Sequence, residues 1–202
     1  MDMKRRNLLT GSALAPLAPL ALLPPLASAA SPPASPASRV VLPNVTLTTH
    51  QNRRVRFYDD LVRGNRIVVI NFIYAQCSDI CPGATANLAL VQQALGARLG
   101  RDVFMYSITL EPKKDTPNIL AHYARGFGVQ PGWEFLTGQP ADIERLRRAL
   151  RFAQSDPVLD RDKSQHTGML RIGNEALDRW SACPTLMKPA QLAREIMWVG
   201  MA

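Results

Sequence analysis

Ile67-Val68-Val69-Ile70-Asn71-Phe72-Ile73-Tyr74-Ala75-Gln76-Cys77-Ser78-Asp79-Ile80-Cys81-Pro82 is an apolar run that ends in two thiols. The run is β-branched and aromatic with little alternation, the pattern of a strand buried on both faces of a parallel sheet. From Pro82 the pattern changes to Ala, Leu and Gln, with Leu88, Val91, Leu95 and Leu99 spaced to share one helix face. Cys77 and Cys81 therefore leave the carboxyl end of a core strand, and the second stands at the entrance of a helix. Unpaired N–H groups and the positive end of the helix dipole favour thiolate there, so both cysteines are expected to be more acidic than a free one. Were the turn helical, residues four apart would bring their sulfurs to one metal ion; a disulfide is equally within reach. The pair can hold a metal or store two electrons.

The other elements follow from periodicity and turn chemistry. Residues 45–48 and 54–57 read as a short hairpin, 102–110 and 134–137 as strands, and 169–172 and 176–181 as a second hairpin turning at Gly173-Asn174. Helices are expected from Asp115-Thr116-Pro117, where a capping residue precedes proline, over residues 140–152 and from about Pro189 to Val199. Strands alternating with helices, then a terminal hairpin and helix, predict an α/β thioredoxin-like three-layer sandwich of the peroxiredoxin type with an N-terminal β-hairpin.

Lys4-Arg5-Arg6-Asn7-Leu8-Leu9, a Leu/Ala/Pro-rich stretch and Ala27-Ser28-Ala29 read as a twin-arginine signal peptide over residues 1–30. Four prolines interrupt its apolar segment, which favours cleavage over a membrane anchor; an uncleaved signal would anchor the chain. The expected location is the periplasm. Residues 31–39 are Ser/Pro/Ala-rich and read as a linker, leaving residues 40–202, about 160 residues, for one domain. The formal charge is +8, of which Asp2, Lys4, Arg5 and Arg6 supply a net +2, so the exported part carries +6. Its arginines fall largely on helical segments with no interleaved aromatics, which excludes a nucleic-acid surface and leaves a mild peripheral attraction to anionic membrane.

The chain resembles the Sco (SenC-type) copper chaperones. Phe72-Ile73-Tyr74-Ala75-Gln76-Cys77-Ser78-Asp79-Ile80-Cys81-Pro82 is similar to that family's F-x-Y-x-x-C-x-D-x-C-P segment. Thr109-Leu110-Glu111-Pro112-Lys113-Lys114-Asp115-Thr116-Pro117 is similar to its second motif and Trp133 to Gly138 to its third, and the likeness covers roughly residues 40 to 200. The resemblance implies copper, as Cu(I) or Cu(II), bound by Cys77, Cys81 and His166. It also implies delivery to a copper-accepting enzyme subunit, a subunit of cytochrome c oxidase with its dinuclear copper centre, and exchange with other copper chaperones. Soft thiolates suit Cu(I) and imidazole suits Cu(II), so the mixed set serves both.

Three histidines are present. His50 belongs to the early hairpin and reads as exposed, and His122 as an ordinary helix residue. His166 ends the charged stretch 155–165, expected to be a long mobile loop, and is followed by Thr167-Gly168 where family members show an Asp-His-Ser-aromatic pattern. Asp79 is expected to cap the loop, Phe72 and Tyr74 to shield the thiols as core residues, and Met169 and Met187 to fill the core. Cys183 lies outside the family pattern and is expected to be a buried inert thiol.

Other chemistry fits the same sulfurs. A thiol:disulfide oxidoreductase keeping the acceptor's cysteines reduced would use Cys77 and Cys81 as its redox pair, though such enzymes usually carry C-x-x-C rather than C-x-x-x-C. A peroxidase would want a hydroxyl residue three positions before the attacking thiol; Tyr74 and Ser78 are weak candidates. A purely structural disulfide is disfavoured, because thiols at a strand end and helix entrance are acidic and expected to be exposed enough to react. The primary expectation is a metallochaperone rather than an enzyme.

Overall fold

The computed structural model describes residues 40–162 and 168–201. The leader 1–30 and linker 31–39 lie outside them. A hairpin of β1 (Thr46–Thr49) and β2 (Arg54–Arg56) opens the described chain and runs into one π-helical turn, Phe57–Val62. Then come β3 (Ile67–Ile73), α1 (Ile80–Leu95), β4 (Val103–Thr109), α2 (Pro117–Gly126), β5 (Trp133–Gly138), α3 (Pro140–Ala149) and the short α4 (Pro157–Arg161). After β6 (Met169–Asn174) and β7 (Arg179–Pro184), α5 (Pro189–Val199) ends the domain.

The strands form one sheet in the order β2-β1-β5-β4-β3-β6-β7. β3, β4 and β5 are parallel, with Ile67 opposite Val103 and Ile73 opposite Thr109; the remaining pairs are antiparallel. All seven residues of β3 are buried, which is why its sequence shows no alternation. Ile67, Val69 and Ile73 face a core completed by Leu88, Val91 and Leu95 of α1, Leu120 of α2, and Leu192, Ile196 and Val199 of α5. Val68, Ile70 and Phe72 face a second core with Leu47, Phe57, Leu61, Ile143, Leu146 and Phe152. This is the expected α/β sandwich of thioredoxin type.

Proline at the first turn starts α2, α3, α4 and α5, since it needs no N–H there. Thr116 caps α2 by accepting from the Ile119 N–H at 3.4 Å. No helix among the described residues is long and apolar enough to cross a membrane.

Several boundaries differ from the expectation. β6 runs through Gly173 and Asn174, and the hairpin turns over residues 175–178 with Asp178 at φ +49°. Gly173 serves close approach instead of a turn: a Cβ there would lie 2.3 Å from the Trp180 ring of the paired strand. Asn174 opens the true turn by accepting from the Leu177 N–H at 3.3 Å. α3 stops at Ala149, and Arg151, at φ +61°, swings Phe152 back into the core, its ring 4.8 Å from that of Phe72.

The expected mobile loop is in part ordered. Asp156 caps α4 by accepting from the Val158 N–H at 2.7 Å. Asp160 is held by Arg147, a buried guanidinium of α3 that spans to both carboxylate oxygens at 2.7 and 2.6 Å. Residues 163–165 of that stretch lie outside the described residues.

Candidate metal centre

The thiol loop begins where β3 runs out. A tight turn closes with the Cys77 N–H donating to the Tyr74 carbonyl at 3.1 Å, and Cys81 enters the first turn of α1. The two cysteines are thus split between loop and helix, so their approach comes from the turn and not from helical spacing. Cys77 is 6% exposed and Cys81 0%. The expectation that they would be exposed is overturned; both pack into the α1 side of the core.

Burial pushes the Cys77 thiol up, but hydrogen bonds more than offset it and hold the group below the ordinary cysteine range. The donors are the Cys81 thiol and N–H, the Asp79 N–H and the Tyr74 hydroxyl. The same contact with Cys77, reinforced by burial, pushes the Tyr74 hydroxyl up to about 12. Asp79 therefore acts through its backbone. It occupies the N-cap position of α1, yet its side chain makes no capping bond there, contrary to expectation.

The second motif braces the loop. Asp115 is 1% exposed and its carboxylate accepts from the Ala75 N–H at 3.1 Å and from the Thr109 hydroxyl. Burial raises the Asp115 pKa, against the pull of those two hydrogen bonds. Thr109 also accepts from the Glu111 N–H at 2.9 Å, so β4 and the start of α2 are tied to the residue after Tyr74. In the sequence Asp115 read only as the opening of a helix; the capping was done by Thr116, and the signal for a brace was an acid placed beside a cap that did not need it. Beneath the loop, Trp133 donates to Ser107 at 3.0 Å and Ser107 to Asn71 at 2.7 Å, a buried polar chain that the apolar reading of β3 missed.

Of the other expected residues, Tyr74 packs on the thiol side, whereas Phe72 points to the opposite core and shields nothing there. Met187 packs against the thiol-side core, but Met169 is 40% exposed and is not core filler. His50 is not simply exposed: its Nδ1 accepts from the Phe135 N–H at 3.1 Å, and burial lowers its pKa. His122 is an exposed helix residue. Cys183 sits on β7 opposite Leu170, a buried free thiol pushed up to about 11 by burial and the charge of Glu195. It forms no disulfide with Cys77 or Cys81.

His166 lies outside the described residues. Gly168, two positions on, does not: a Cβ there would be 3.4 Å from Cδ1 of Ile80, the residue before Cys81. Its carbonyl accepts from the Thr185 N–H at 2.9 Å and hydroxyl at 3.2 Å, fixing the entry to β6. Among the described residues no three His, Cys, Asp or Glu side chains come close enough to hold a metal ion.

Residues 37–199 match the family model described as SCO1/SenC. The chain belongs to the SCO1/SenC family. A SCO1 protein homolog of Bacillus subtilis is 35% identical over 78 residues, 38% of this chain and 40% of the relative. This SCO1/SenC chain spans about two fifths of the length of the curated relatives it matches first. Copper-bound ScoI of Bradyrhizobium japonicum superposes with a TM-score of 0.59 at 24% identity, over 76% of this chain and 96% of that one. BsSco, a member of the Sco family of cytochrome c oxidase assembly proteins in which a disulfide switch was identified, gives 0.62 at 19% identity, over 77% and 91%. At these identities the structural likeness is one of fold.

Proposed function

We propose that this SCO1/SenC chain is an exported copper chaperone that carries one copper ion on Cys77, Cys81 and His166 and delivers it to the dinuclear copper centre of a cytochrome c oxidase subunit in the periplasm. The observation that carries the reading is the approach of Gly168 to Ile80, where an added Cβ would lie 3.4 Å from Cδ1, which sets the residue two after His166 beside the helix turn that bears Cys81. Copper bound to the related ScoI supports the choice of metal.

Cys77, held toward thiolate by its donors, offers the first sulfur; loading displaces the Cys81 thiol proton from its hydrogen bond to Cys77 and frees the second. Two thiolates and an imidazole leave a side open, through which a cysteine or histidine of the recipient enters before the ligands of this chain let go. Asp115 and Tyr74 keep the loop in place during that exchange.

The test is copper titration of the purified exported chain beside Cys77→Ser, Cys81→Ser and His166→Ala. Each variant is expected to lose at least about tenfold in affinity, and the Cu(II) form of the wild type to show a thiolate charge-transfer band that is weakened and shifted in each cysteine variant. Unchanged affinity in all three would refute the site.

A second reading rests on the hydrogen bond between the Cys81 and Cys77 thiols. In it the pair reduces the acceptor's cysteines, Cys77 attacking the acceptor disulfide and Cys81 displacing the reduced acceptor to leave the Cys77–Cys81 disulfide. Loss of disulfide exchange in the variants with copper affinity unchanged would favour it.

A further inference from the structure

Between the connection leaving α3 and the outward face of β6 lies a cavity of about 150 Å³ lined by Arg151, Phe152, Gln154, Met169, Arg171 and Ala182. Among the described residues its lining carries two arginines and no carboxylate. Arg171 stands opposite Ile70 in the register of β6 with β3, and its buried Nε has no hydrogen-bond partner. Burial and the charge of Arg151 lower its pKa, the response of a half-buried cation that faces another cation. The neighbouring acids Glu144 and Asp160 are engaged by Arg147 and Arg148.

A half-buried Arg171 cation facing a second, exposed cation destabilises a fold unless an anion joins them, and the guanidinium fork matches carboxylate or phosphate oxygens in pairs. The walls are already fixed. The Phe152 ring packs edge-on against Phe72, its carbonyl accepts from Arg147, and the Gln154 N–H donates to Asp160 at 2.7 Å. We infer that the cavity between Arg151 and Arg171 is a binding site for one small free oxyanion of the phosphate or carboxylate class. Its volume admits a single such group and is well below the roughly 300 Å³ at which drug-sized ligand pockets begin. The side chains of Leu170 and Ile172 point to the thiol-side core while Arg171 points away from it, so the anion is no copper ligand. It ties β6 to the segment after α3, and the inference stands whether or not the chain carries copper.

The test uses the purified exported chain, melted at constant ionic strength with chloride replaced stepwise by inorganic phosphate or by acetate. A saturable rise of about 3–6 °C is expected in at least one of the two at tenfold over its dissociation constant. The saturable part should vanish in Arg171→Gln and in Arg151→Gln and persist in Arg194→Gln on α5, with copper uptake by Arg151→Gln unchanged. Should Arg171→Gln fail to fold, the exposed Arg151 carries the test alone. A purely linear rise in the wild type with both ions, or a saturable rise that survives in Arg151→Gln, overturns the site.

Discussion

Replacing Arg147 by Met should destabilise the domain more than any other single charge removal outside the thiol loop. Arg147 is 5% exposed, and among the described residues its guanidinium serves Asp160 through two bonds at 2.7 and 2.6 Å, Glu144 at 2.9 and 3.0 Å, and the Phe152 carbonyl at 3.3 Å. Its pKa is raised above the ordinary arginine value, first by Asp160, against the opposing effect of burial. Glu144 is 41% exposed and its share is screened to about 0.5 kcal/mol. Asp160, at 13% exposure, would be left as a carboxylate without its main cation, and breaking such a pair costs about 3–5 kcal/mol. At about 2–4 °C per kcal/mol for a domain of this size, Tm falls by about 6–20 °C. Urea melts of Arg147→Met, Asp160→Asn and the double variant measure it, with the double variant more stable than Arg147→Met alone because it also removes the carboxylate that the single variant leaves without its main cation. A loss under about 1 kcal/mol in Arg147→Met would refute the claim that this clamp orders α4.

Tyr74→Phe removes one donor to Cys77, so the thiol rises toward its ordinary value and iodoacetamide alkylation at pH 7 slows about three- to tenfold; an unchanged pH–rate profile would dismiss the hydroxyl. Asp115 has a carboxyl pKa raised on folding, so the stability it contributes is fully present below about pH 3.8 and is lost as pH rises through its folded value. Asp115→Asn keeps an acceptor for Ala75 and Thr109, and its stability relative to wild type should improve between pH 4 and pH 7; a pH-independent difference in urea melts would contradict the burial argument. Gly132→Ala should cost at least about 2–4 kcal/mol, since Gly132 lies at φ +97° and its new Cβ would meet the Gly100 backbone nitrogen at 2.3 Å; a thermal melt within a degree or two of wild type would disprove the close approach.

Much of this architecture is readable where one physical demand governs a stretch. The unbroken apolar run of β3, the proline-started helices and the full length of α5 follow from burial and backbone chemistry alone, and the cysteines at the end of β3 follow with them. The errors fall where one residue type serves two purposes. Gly173 suggested a turn because glycine usually gives one, but the Trp180 ring occupied the space a side chain would need. Phe72 and Tyr74 sit two apart in sequence, yet Phe72 belongs to the pleated strand and Tyr74 to the turn beyond it, so they end on different sides of the sheet. The charged stretch 155–165 reads as a mobile loop because local sequence says nothing about Arg147, thirteen residues before Asp160. At the site, the thiols and the helix entrance were legible, whereas the brace from Asp115 to Ala75 was not, since it joins segments forty residues apart.

The depth of the sulfurs has a kinetic meaning. With Cys81 fully covered and Cys77 nearly so, a small oxidant in the surroundings reacts at its intrinsic rate multiplied by the fraction of time the fold stands open, and every 1.4 kcal/mol of opening free energy lengthens the lifetime of the reduced pair about tenfold. A partner that binds the open form adds its own affinity to that equilibrium and shortens the wait for itself alone. Insulation from chance chemistry and readiness toward one chosen collision then come from the same covering atoms.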